Sequence, residues 1–238
     1  MCLILFAYHV HPKYKLIVAA NRDEFYQRPT APAHFWEDDS GILAGRDLEK
    51  MGTWMGVTKA GRFAALTNYR NPNEVTEGKH SRGELVSDAL KYNGDIREYM
   101  KSLTRNNDLY PGYNFLAGDG ENLYYYSNIG QELKQVTPGI YGVSNHLLNT
   151  EWPKVKTGKA GLANILNGKQ EDYVEPLLTL LLKADRAPDE NLPKTGVSLE
   201  WERILSPMFI KGEGYGTRSS TVMLMSEQEI HYVDRVIT

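Results

Sequence analysis

Met1-Cys2-Leu3-Ile4-Leu5-Phe6-Ala7-Tyr8-His9-Val10-His11-Pro12-Lys13-Tyr14-Lys15-Leu16-Ile17-Val18-Ala19-Ala20-Asn21-Arg22-Asp23-Glu24-Phe25 opens the chain. Two apolar runs, Leu3 to Val10 and Leu16 to Ala20, flank a Pro12-Lys13 turn and read as a β-hairpin. The second run leads straight into four polar residues, Asn21 to Glu24. If the two strands pair, Arg22 returns close to the start of the chain.

Further strands are expected at Ile42 to Ala44, Thr53 to Thr58 and Arg62 to Asn68. Then the hydrophobic period changes. Ser81 and Glu84 form a capping-box pattern before Leu85, Val86, Ala89 and Leu90, and Asp95 with Glu98 repeats it. Strands resume at Tyr113 to Ala117, Leu123 to Ser127 and Gly139 to Ser144. Helices are expected from Pro153 to Leu166 and from Glu175 to Ala184, with a loop at Asp185 to Thr195. Two strands, Ser219 to Met225 and Ile230 to Val236, close the chain. Runs of strands alternating with runs of helices predict an α+β fold with antiparallel sheets. Strands at both ends predict one intertwined domain over 1–238.

The 238 residues are 41% hydrophobic and 24% charged, enough apolar material for a sizeable core. A net charge of −3 with no basic stripe gives no footprint for nucleic acid. No stretch approaches the roughly 18–20 apolar residues of a membrane span, and the first apolar run lacks the flanks of a signal peptide. A cytoplasmic protein is the expectation. The single cysteine excludes an intramolecular disulfide and paired-cysteine zinc sites. His9 and His11 share one strand face at i, i+2, but no third metal ligand is evident, so no metal and no cofactor are expected.

Cys2 is the chemistry-bearing residue. Removal of Met1 leaves a cysteine with a free α-amine, a nucleophile and a base in one residue. The amine titrates at about 7.7–8.0 and a thiol at about 8.5, so near neutrality the amine can take the thiol proton. Arg22 nearby would lower the thiol pKa and hold a carbonyl or carboxylate. Asp23 or Glu24 would orient the amine. The competing reading of Cys2 is a small buried hydrophobe.

The string NRDEF, the preceding Met-Cys, GTWMGV (Gly52 to Val57), TNYR (Thr67 to Arg70), GVSNHLL (Gly142 to Leu148) and TRSSTV (Thr217 to Val222) together resemble the NRDE family, also called the transport and Golgi organization protein 2 family. That family is similar to N-terminal-nucleophile hydrolases, which implies a four-layer αββα sandwich of two antiparallel sheets. The choloylglycine and penicillin V acylases resemble this chain in an initial Cys, an early Arg with a nearby Asp, two later Asn and a late Arg. The resemblance implies Cys2 as nucleophile, Arg22 beside it, Asp23 or Glu24 on the amine, Asn68 and Asn145 on an oxyanion, and Arg218 completing the network. Those acylases separate Arg and Asp by two residues, whereas Asp23 and Glu24 follow Arg22 directly. Amide NH₂ groups are neutral donors suited to a developing oxyanion. Asn21, Glu24, Trp54 and His146 are the expected substrate contacts.

Two functions compete. One is a Cys-dependent amidohydrolase acting on a small C–N substrate through an acyl-enzyme. The other is a non-catalytic binding or trafficking protein for haem or lipid-like ligands on the same scaffold. Substrate identity and oligomeric state are not legible.

Overall fold

The computed structural model describes residues 2–168 and 170–237; Met1, Lys169 and Thr238, and with Met1 the expectation of its removal, lie outside the described residues. β1 (Cys2–Tyr8) and β2 (Leu16–Phe25) form the expected hairpin, but β2 runs five residues beyond Ala20. The polar residues therefore lie inside the strand, not at its exit, because β2 stays paired with the long strand β11 (Tyr215–Met225) as far as Phe25.

The remaining strands are β3 (Thr30–Phe35), β4 (Ile42–Asp47), β5 (Met55–Thr58), β6 (Phe63–Asn68), β7 (Tyr113–Gly118), β8 (Leu123–Ser127), β9 (Lys134–Gln135), β10 (Gly139–Val143) and β12 (Ile230–Val236). They build a five-stranded sheet in the order β10-β1-β2-β11-β12 and a seven-stranded sheet in the order β3 to β9. Every pairing in both is antiparallel.

Three apolar layers set the architecture. Between the sheets lie Ile4, Phe6 and Val18 of one and Val57, Phe63 and Leu116 of the other. The outer face of the seven-stranded sheet packs on α1 (Gly83–Lys91) and α2 (Ile96–Leu103). The outer face of the five-stranded sheet, with Leu3, Leu5, Ile17 and Ala19, packs on α3 (Pro153–Asn167) and α4 (Val174–Leu181). The result is the expected αββα sandwich. It also explains why β1 is a continuous apolar run: both of its faces are buried.

Local signals held unevenly. Asp95 caps α2 by accepting from the Arg97 N–H. The Ser81 cap does not form: Arg82 is the N-cap of α1 and makes no side-chain cap bond, while Glu84 contacts His80 instead. α5 (Leu199–Leu205) was not expected, although Ser198 caps it by accepting from the Trp201 N–H. His9 and His11 are not on a strand face, because β1 ends at Tyr8 and His9 turns at φ 48°. Among the described residues no helix is long and apolar enough to cross a membrane.

Phe6 is 1% exposed between the sheets and stacks on Tyr141 at 5.1 Å. Phe6→Ala is expected to lower stability by about 3–5 kcal/mol in urea unfolding. Val10→Ala, at an exposed position, should stay within about 0.5 kcal/mol.

Candidate functional site

Pairing register places the thiol. Cys2 lies directly across from Arg22, as Ile4 does from Ala20. Opposed residues of an antiparallel pair share a face. Ile4 and Ala20 face the space between the sheets, so Cys2 and Arg22 face it too. There, at the end of the sandwich, a cavity of about 900 Å³ opens, lined by Cys2, Arg22, Glu24, Trp54, Asn68 and Arg218 among others.

Strand alternation divides the Asn21–Glu24 stretch. Arg22 and Glu24 go to the cavity side, where their side chains lie 3.8 Å apart. Nη1 of Arg22 is buried and has no hydrogen-bond partner among the described residues. Asn21 and Asp23 go to the helix side, with Asp23 also contributing to the cavity wall. Asn21 is fully buried there: its amide donates to the carbonyls of Leu181 and Met208, and its Oδ1 accepts from Ser220. The expected substrate contact of Asn21 is therefore corrected to a structural one. Asp23 Oδ1 accepts from the Thr217 hydroxyl at 2.7 Å.

The late motifs sort in the same way. Asn68 ends β6 and lines the cavity. Asn145 does not line it. Its Nδ2 donates to the Asn68 carbonyl at 2.9 Å and its Oδ1 accepts from Ser144, so its expected oxyanion role becomes that of a buried brace behind Asn68. His146 is also turned away: Nδ1 pairs with Thr150 and the ring packs near Tyr69 and Trp152. Arg218 sits at a β-bulge in β11, between Thr217 and Ser219. Its Nη1 donates to the carbonyls of Phe25, Tyr26 and Arg28, tying the β2–β3 turn to the cavity rim. Gly52 allows close approach: a Cβ there would come within 2.6 Å of the Gly83 backbone, at the cavity wall.

The electrostatics of the thiol are mixed. Burial pushes the Cys2 pKa up, and the Asp23 carboxylate adds to that. The Asp23 backbone N–H and the Arg22 guanidinium pull it down. Asp23 is itself raised by burial, against the opposing pull of Lys154, Thr217 and Arg22.

Sequence reasoning missed a buried group behind this site. Lys154 and Glu202 are buried. Glu202 pairs with Arg70 at 2.7 Å, and the Arg70 guanidinium covers the Trp152 ring at 4.6 Å. Nothing in the local pattern marks these residues. Only the cap at Ser198 could have drawn attention to α5, which carries Glu202.

A family model described as Transport and Golgi organisation 2 matches residues 1–238. The chain is 36% identical to the Transport and Golgi organization protein 2 homolog of Homo sapiens, with 94% of this chain and 88% of that protein aligned. It is 29% identical to Transport and Golgi organization protein 2 of Drosophila melanogaster, over 100% of this chain and 93% of that one. Among solved structures, it superposes on a Caenorhabditis elegans ortholog of N-acylethanolamine-hydrolyzing acid amidase with a TM-score of 0.57, covering 98% of this chain and 100% of that one. At 10% identity that likeness shows a shared fold.

Since Cys2 is the chain's single cysteine, alkylation reports on it alone. Its labelling by iodoacetamide should rise to a midpoint above the ordinary thiol value of about 8.5. Arg22→Ala removes a cation that favours the thiolate, so the midpoint should move higher. Labelling at pH 7 should then slow by about two- to threefold. An unchanged profile would show that the guanidinium does not act on the thiol.

Proposed function

The chain belongs to the Transport and Golgi organisation 2 family, and from that premise we propose that it is an N-terminal-nucleophile amidohydrolase cleaving a small C–N amide through a Cys2 acyl-enzyme. The observation that carries this reading is the Cys2–Arg22 pairing, which puts a thiol and a buried guanidinium on one face at the wall of a large cavity.

In this reading Met1 is removed and the Cys2 α-amine, at the head of β1, takes the thiol proton. The thiolate attacks the substrate carbonyl carbon and forms a C–S bond. Negative charge develops on the carbonyl oxygen, which accepts from the Asn68 amide. The tetrahedral intermediate collapses and the C–N bond breaks. The departing nitrogen takes the proton held on the α-amine. Water then attacks the thioester, with the α-amine again as base, and releases the acid and the thiol. Arg22, whose Nη1 has no hydrogen-bond partner among the described residues, holds the substrate carbonyl or a carboxylate.

Of the two carboxylates, Asp23 is assigned to the amine. It follows Arg22, the partner of Cys2, and so lies at the head of β1, anchored by Thr217. Glu24 is assigned to the cavity side, beside Arg22. A cavity of about 900 Å³ is at the upper end of the range for small-molecule sites, roughly 300–1,000 Å³.

The test is mass spectrometry of the mature protein after exposure to p-nitrophenyl acetate. The expected result is an N-terminus at Cys2 and one acetyl group on its peptide, absent in Cys2→Ala. Retention of Met1 in the reactive protein would end the mechanism, because no free cysteine amine would exist. Tight binding of haem or an acyl ligand, unchanged in Cys2→Ala and without turnover of any amide, would favour a carrier instead.

A further inference from the structure

One buried charge near the site has no part in the steps above. Lys154 is the second residue of α3 and is 3% exposed. Its Nζ is buried with no hydrogen-bond partner among the described residues. Two features oppose a cation there. Burial strips its hydration, and the first turn of a helix presents the positive end of the dipole. Burial lowers its pKa to about 8, while the Asp23 charge works in the opposite direction.

The counter-charge is on the other side of the layer. Asp23 lies on the helix face of β2, the face that α3 and α4 cover. The groups that act on it come from every side: Lys154 from α3, Thr217 and Tyr215 from β11, Arg70 from the segment after β6, Cys2 from β1 and Arg22 from its own strand. Lys154, whose buried Nζ has no hydrogen-bond partner among the described residues, favours the ionised Asp23 carboxyl. Arg70 is already matched by Glu202, and Arg22 projects to the opposite face of the sheet.

We propose that Lys154 is a positioning residue of the Cys2 site: its ammonium keeps the buried Asp23 carboxyl ionised, so that Asp23 accepts from the Cys2 α-amine and holds it as the thiol's proton acceptor. The proposal rests on the N-terminal-nucleophile reading. Lys154 touches neither substrate nor sulfur in this role; it acts through Asp23. The sign follows directly. A buried carboxyl that loses a nearby cation takes up its proton at a higher pH. The acid limb of Cys2 reactivity therefore moves up in pH when Lys154 is made neutral.

The experiment follows acetylation of Cys2 by p-nitrophenyl acetate against pH, in full-length protein whose mature N-terminus is verified by mass. The variants are Lys154→Met, Lys154→Arg, Asp23→Asn and the double Asp23→Asn/Lys154→Met. Lys154→Met should displace the acid limb to higher pH and slow the reaction at pH 7 by about tenfold or more. Lys154→Arg keeps a cation and should retain the wild-type acid limb. In the Asp23→Asn background, Lys154→Met should add nothing.

Two results overturn the proposal: an unmoved acid limb in Lys154→Met, or the same slowing with and without Asp23. If Lys154→Met does not fold, Lys154→Arg and the comparison of Asp23→Asn with the double variant decide, since the double variant leaves neither charge of the pair buried alone. Wild-type protein that is not acetylated at Cys2 sinks the functional reading and this inference together. Wild type that is acetylated, with an acid limb indifferent to Lys154, sinks only the inference.

Discussion

The pairing of β1 with β2 in a single register is the constraint on which the site depends. Side chains along a strand alternate between two faces, so a slip of β1 by one residue against β2 would send the Cys2 sulfur into the α3–α4 layer, away from Arg22. The register is held by burial on both sides. Ile4, Phe6 and Tyr8 pack between the sheets, while Leu3, Leu5 and Ala7 pack under the helices. A slip would misplace every one of these contacts at once. The turn adds a local lock, with the His9 N–H donating to the Lys15 carbonyl at 2.8 Å.

The same alternation turns one polar stretch into two environments. Arg22 and Glu24 stand in an open cavity, where water or a ligand can complete their hydrogen bonds. Asn21 and Asp23 stand in an enclosed layer, where every polar atom needs a protein partner. Asn21 meets that demand with two carbonyls and Ser220. Around Asp23 the demand draws in polar and charged groups from distant parts of the chain. Thr217 comes from β11 and Lys154 from α3. The Arg70–Glu202 pair, behind Lys154, ties the segment after β6 to α5. Ionic groups packed this densely in a low-dielectric layer are costly to assemble. Perturbed titratable groups clustered in this way beside Cys2 are a feature of functional sites.

Strand-rich segments, the first hairpin and the two helical regions were legible because burial on one or two faces leaves a periodic mark. The missed elements had weak marks. β3 carries Pro32 and His34 and is half exposed, so it shows no clean alternation. α5 is only seven residues long. The site was legible to the extent that it is encoded within one stretch: Cys2 and Arg22 meet because two adjacent strands pair. Asn145 and His146 were misplaced because a residue just past a strand can turn to either side, and the hydrogen bonds that turned them come from Asn68 and Thr150.

By itself, then, the sequence determined the runs of strands and helices, the antiparallel class and the meeting of Cys2 with Arg22, because each follows from patterns confined to neighbouring segments. Tertiary structure alone decided that Glu24 stands beside Arg22 and that Asp23 is buried against Thr217. It also decided that Asn21 and Asn145 are braces, and that Lys154 is buried at the start of α3. Those outcomes depend on where β2 ends and on which helix covers which face. Both are set by packing between segments more than a hundred residues apart in sequence, for which no local pattern exists.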